Sequence, residues 1–142
     1  MIKELSISKI TENLGECSEL VRLLKLSGFY EGLQQREVFT VFAPVDGAFR
    51  QLPGRMTESL LKPENIPALR SLLGLHLIKG RYDRQELVRQ YSISNLTGVK
   101  MIFAEVDGEL YVNNSRVIES DKLAGNGVVH IIDRVLLPSL KR

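Results

Sequence analysis

The sequence predicts a single α+β domain in which helices lead, a sheet follows, and one early strand must return to that sheet. Three observations predict it. Apolar residues recur at helical spacing between Glu16 and Ser27. From Thr97 onward the spacing changes to strand alternation. Between them lies Val38–Ala43, rich in branched and aromatic residues but without a neighbouring strand to pair with.

In the first segment Cys17, Leu20, Val21 and Leu24 follow an i, i+3, i+4, i+7 pattern, and Leu23 and Leu26 widen the stripe. Gly28 is the stop, because it tolerates a left-handed backbone. A short helical turn is expected around Glu31–Gln35. Pro44 ends the Val38–Ala43 strand by removing a ladder donor. Asp46 is placed to cap a helix carrying Ala48, Phe49 and Leu52, closed by Pro53-Gly54. Met56–Lys62 reads as a short helix. Pro63-Glu64-Asn65 opens another, with Ile66, Leu69, Leu72 and Leu73 on one face and His76 continuing the stripe. Leu75–Ile78 then turns extended, and Asp83 caps a helix through Leu87 and Val88.

In the last third, Val99, Met101 and Phe103 alternate with Lys100, Ile102 and Ala104. Asp107-Gly108 signals a two-residue hairpin, returning along Glu109–Asn113. Asn113-Asn114-Ser115 turns into Arg116–Glu119. After the loop Gly125-Asn126-Gly127, Val128–Leu137 reads as one long strand whose alternation slips near Asp133-Arg134, as at a bulge.

Composition sets the class. A chain of 142 residues, 44% hydrophobic and 25% charged, is one domain able to bury a sizeable core. A net charge of +2 with acidic and basic residues interspersed, as in Lys79–Glu86, argues against a nucleic-acid partner. The single cysteine, Cys17, cannot form an intrachain disulfide and reads as a small buried apolar side chain. No apolar run is long enough to span a membrane. The first residues lack the apolar core of a signal peptide, so the chain is expected to be cytoplasmic or to begin after a removed leader. Asn95-Leu96-Thr97 and Asn113-Asn114-Ser115 match the glycosylation pattern and are read as chance.

No catalytic constellation emerges. The two histidines, His76 and His130, stand alone, and neither neighbours a nucleophile elbow. His130, between Val129 and Ile131, reads as a hydrogen-bonded structural residue. Two histidines and one cysteine make no metal set, and no phosphate loop or dinucleotide fingerprint is present. Neither an enzyme, nor a metal, nor a cofactor is expected. Asp46 reads as a cap. Asp133 reads as the holder of a bend or the partner of a cation such as Arg134.

Two segments carry a family resemblance. Thr40, Val41, Phe42, Ala43, Pro44, Asp46, Ala48 and Phe49 fit the pattern T-V-F-A-P-x-D-x-A-F. Asn126, Gly127, Val128, Val129, His130, Ile132, Asp133, Val135, Leu136 and Pro138 fit N-G-V-[VI]-H-x-[IV]-D-x-V-L-x-P. Between them Val112-Asn113-Asn114-Ser115-Arg116-Val117 is similar to V-N-N-A-x-V. Together these resemble the fasciclin (FAS1) domain over nearly the whole chain, residues 1–142. The resemblance implies a wedge-shaped β-sandwich flanked by a cluster of helices. It also implies a non-enzymatic module for adhesion or matrix association, whose partner would be a protein or a surface polysaccharide. The family's Tyr-His landmark is altered: His76 matches, but Leu75 stands where Tyr is usual and Lys79-Gly80 replaces Pro-Gly. By that landmark the partner-binding face is expected at Leu75, His76, Leu77 and Ile78, with His76 and Leu77 replaceable by alanine without unfolding. Family precedent offers an alternative, a carrier of a small apolar ligand such as a carotenoid. A monomer is the default expectation.

Overall fold

The computed structural model describes residues 6–33, 37–52 and 56–137. The Gln34–Gln35 end of the expected helical turn, the Pro53-Gly54 stop and Pro138 of the second signature lie outside these residues.

The helical part begins one element earlier than the periodicity indicates. α1 spans Ile7–Asn13, and the Ser6 side chain accepts from the Lys9 N–H at its start. α2 spans Ser18–Ser27 and buries Leu20, Val21, Leu23 and Leu24. Gly28, at φ 89°, turns the chain into the short α3, Phe29–Gly32. Cys17 sits at the N-cap of α2, fully buried, not inside the helix. β1 (Phe39–Pro44) leads through Val45 into α4 (Asp46–Arg50). α5 is Met56–Leu60, and a 3-10 turn at Pro63–Asn65 opens α6 (Ile66–Gly74), which buries Leu69, Leu72 and Leu73. α2 packs on both α6 and α4.

β2 (Leu77–Lys79), α7 (Arg84–Gln90, capped by the Asp83 side chain) and β3 (Ser92–Ser94) come next. β4 (Lys100–Val106), β5 (Glu109–Val112), β6 (Ser115–Ala124) and β7 (Gly127–Ile132) complete the elements of the described residues. Asp107 (φ 52°) and Gly108 (φ 81°) form the β4–β5 turn, the positive-φ pair that a two-residue hairpin requires.

The strands form one seven-stranded sheet in the order β2-β1-β7-β6-β5-β4-β3. Only β1 and β7 run parallel; the other neighbours are antiparallel. The sheet curls until its ends meet: the Leu96 N–H, just past β3, donates to the Leu77 carbonyl of β2 at 2.9 Å. The halves of the curled sheet therefore face each other as the two layers of a sandwich. Phe42 of β1 stacks on Phe103 of β4 across the interior, ring centroids 5.8 Å apart.

The final strand is shorter than alternation suggests. β7 ends at Ile132, and all six of its residues are buried. It lies between β1 and β6 with α1 packed against it, so both faces are covered and no polar alternation develops. The irregularity falls on its partner β6. Register shifts lie between Val117 and Glu119 and between Glu119 and Lys122, where Asp121 adopts φ 62°.

Candidate functional site

The two signature segments lie side by side. β1 and β7 pair in parallel register from Phe39–Gly127 through Pro44–Ile132, and their polar residues tie neighbouring elements to this pair. The Thr40 hydroxyl donates to the Gly80 carbonyl at 2.7 Å and accepts from the Tyr82 N–H at 2.9 Å, fixing the turn after β2. Asn126 accepts from the Ile7 N–H at 2.8 Å and donates to the Leu33 carbonyl at 2.6 Å, joining the start of α1 to the residue after α3. Gly127 has φ 154°, and a Cβ there would meet the Phe39 carbonyl oxygen at 1.8 Å. Phe42, Pro44 and Phe49 are buried.

Asp46 caps a helix, but not the one it opens. α4 has no side-chain cap, whereas Asp46 accepts from the Glu19 N–H at 2.8 Å and the Ser18 hydroxyl at 2.7 Å, both in the first turn of α2. Its own N–H donates to the Glu16 carbonyl. Asp133 pairs with Arg116, not Arg134. It accepts from the Arg116 N–H at 2.9 Å, and the Arg116 guanidinium lies 3.9 Å away.

Both histidines are buried and use both ring nitrogens. His76 Nδ1 donates to the Leu72 carbonyl at 2.9 Å, and Nε2 accepts from the Leu136 N–H at 2.9 Å. Since a carbonyl can only accept and an N–H can only donate, the ring is neutral with its proton on Nδ1. Burial pushes its pKa down to about 4. His130 Nε2 donates to the Tyr82 carbonyl at 2.9 Å, and Nδ1 accepts from the Asp121 N–H at 3.2 Å. Burial lowers its pKa too. Its ring stacks on Phe42 at 5.6 Å. The Cys17 thiol lies 3.9 Å from the Ala43 carbonyl, and burial raises its pKa to about 12. A thiol held protonated and histidines with no free nitrogen are poorly suited to nucleophilic or acid–base chemistry. Among the described residues, no three His, Cys, Asp or Glu side chains are grouped to hold a metal ion.

The expected binding face is corrected by burial. Leu75, His76, Leu77 and Ile78 are only 6%, 2%, 3% and 1% exposed. Leu77 and Ile78 pair with β1, and His76 is spent on the backbone, so these side chains form core and offer no apolar face to solvent. Leu75 alone reaches a surface feature, an open groove of about 540 Å³. The groove runs between α4, the β3–β4 loop, the β5–β6 turn and the segment after β7. Val99, Ile102 and Leu137 line it and are 43%, 41% and 45% exposed. Lys100 and Arg134 supply its charge, and Asn113 and Asn114 add polar atoms at the β5–β6 turn. Asn95 builds one wall. Its side-chain oxygen accepts from the Thr97 and Val99 N–H groups, and its amide donates to the Leu75 carbonyl at 3.4 Å. Sequence reading missed this groove, although the outward set Lys100 and Ile102 was visible in the β4 alternation.

Fold and site together define a small α+β module whose signature residues are spent on holding backbone. The chain belongs to the fasciclin domain family, whose profile matches residues 15–138. It is 39% identical over 123 residues to protein sll1483 of Synechocystis, covering 87% of this chain and 68% of that protein. It is 34% identical to protein sll1735 of the same organism, covering 84% and 88%. Human periostin is 29% identical over 126 residues, but the match spans 15% of periostin. Among solved structures, a FAS1 domain pair from the insect cell adhesion molecule fasciclin I matches 96% of this chain and 52% of that one, with TM-score 0.84 and 20% identity.

Proposed function

We propose that this chain is a non-enzymatic binding module that engages a partner protein at the groove bordered by Val99, Lys100, Ile102, Arg134 and Leu137. The observation that carries this reading is the contrast between a spent interior and an unspent surface. His76, His130 and Cys17 are committed to the fold, whereas the groove presents half-exposed aliphatic side chains that no part of the described chain covers. The structural likeness to an insect cell adhesion molecule supports a role in adhesion. The pigment-carrier alternative draws no support from the sheet interior, which Phe42, Phe103, Met101 and Leu110 fill.

Photo-crosslinking tests the placement. A benzoylphenylalanine at Ile102, in the groove, is compared in the source cells with one at Leu123, which is 62% exposed and outside the groove. A discrete protein adduct from position 102 that is absent from position 123 supports the proposal. No adduct, or the same adducts from both positions, overturns it.

A further inference from the structure

The charges of the groove say more about its occupant. Some cations elsewhere on the surface are matched by carboxylates, such as Arg84 with Glu105 at 2.7 Å and Lys122 with Glu119 at 2.6 Å, while Arg50, Lys62, Arg70 and Arg81 make no ion pair among the described residues. Two other surface hollows place carboxylates beside their cations: Glu19 and Glu58 with Arg22 and Arg50 in one, Glu105 and Asp121 with Arg84 and Arg89 in the other. Lys100 and Arg134 are both exposed and both line the groove, and neither makes an ion pair among the described residues. No Asp or Glu is among the groove's lining residues. Carboxylates and cations alternate closely along this chain, so a concave site lined by cations alone is a local departure with a field of one sign.

The apolar part of the lining narrows the chemistry further. Val99, Ile102, Leu75 and Leu137 are all aliphatic, and no aromatic ring lines the groove. A sugar would have no ring to stack on, whereas aliphatic side chains of a partner would find matching surface. The Asn113 side-chain oxygen already accepts from the Ile102 N–H at 3.0 Å, which leaves its NH2 group and the amide of Asn114 as the rim groups open to a peptide backbone.

We infer that the groove takes an acidic, aliphatic peptide segment: Leu, Ile or Val side chains against Val99, Ile102 and Leu137, and flanking Asp or Glu carboxylates against Lys100 and Arg134. This rests on the reading of the groove as the partner site and adds the partner's chemistry. Electrostatic complementarity of this kind sets partner choice and association rate. Charge is the specific element, because aliphatic surface alone would accept many sequences.

Selection from a phage-displayed library of random dodecapeptides tests the inference, with the whole chain immobilised. Lys100→Glu/Arg134→Glu and Ile102→Asp serve as variants, since all three side chains are exposed and unneeded for the core. An unchanged thermal transition verifies that each variant folds. The expected result is enrichment of peptides combining Asp or Glu with Leu, Ile or Val. Their affinity should fall at least about tenfold on the charge-reversed variant and weaken as salt is raised. Peptides lost on Ile102→Asp but lacking acidic residues, or held equally by the charge-reversed chain, overturn the acidic class while leaving the groove as the partner site. Peptides held equally by Ile102→Asp, or no enrichment at all, overturn both.

Discussion

A single missing methyl group shows how tightly the two signature segments are built. Gly127 pairs with Phe39 at the start of the parallel ladder, and a Cβ at 127 would lie 1.8 Å from the Phe39 carbonyl oxygen and 2.8 Å from the Ile7 side chain. The nearest obstacle is backbone, so no rotamer change relieves it. Gly127→Ala should cost roughly 3 kcal/mol or more through strain and separation of β1 from β7, read as a lowered urea midpoint. At this scale the sequence showed which residues mattered better than what they do. Asn-Gly at 126–127 read as a loop signal. Its reach to Ile7 and Leu33 depends on α1 and on the end of α3, contacts far away in sequence that no local pattern encodes.

Helix capping operates between elements. Asp46 follows a strand and opens a helix, the local context of an N-cap, yet its carboxylate serves the first turn of α2. The exposed N–H groups of α2 are brought beside it by the packing of α2 on α4. Asp46→Ala should therefore cost about 1 kcal/mol, and the amide of Glu19 should exchange faster with solvent while the amides of α4 change little. Loss of protection confined to α4 would refute this assignment. Long elements with a clear period were legible, and so was the Asp107-Gly108 hairpin. α1 and β3 were not: α1 has seven residues, while β3 has three and two of them are serine, too few for a period to register. The groove escaped for a related reason. Its walls come from five separate stretches of chain, and the altered Tyr-His landmark drew attention to residues that the fold places inside.

The whole molecule is sensitive to acid. His76 has an ordinary pKa of 6.5 and is held at about 4 in the folded protein by burial. The unfolded chain binds the proton first as pH falls, so protonation favours unfolding. Stability should be full above pH 6.5, fall between 6.5 and about 4, and level off below that as far as His76 is concerned. The span corresponds to roughly 3 kcal/mol. His130, also lowered by burial, acts with the same sign. Chemical denaturation across this range should show a steep decline, and His76→Gln should flatten it. An equal slope in wild type and variant would disprove the assignment. Protonation would take away the acceptor for the Leu136 N–H and so release the segment that forms one wall of the groove.

The parallel pairing of β1 with β7 also bears on how the chain is made. β1 leaves the ribosome well before its parallel neighbour β7, because the two lie far apart in the chain. Until residues 127–132 arrive, Phe42 lacks the histidine on which it stacks, and the carbonyls and amides along one edge of β1 have no ladder partner. The nascent chain must therefore carry an open, apolar strand edge until β7 has been made. Pausing or truncation ahead of β7 would leave a chain exposed to chaperones and proteases, whichever of its helices had already formed.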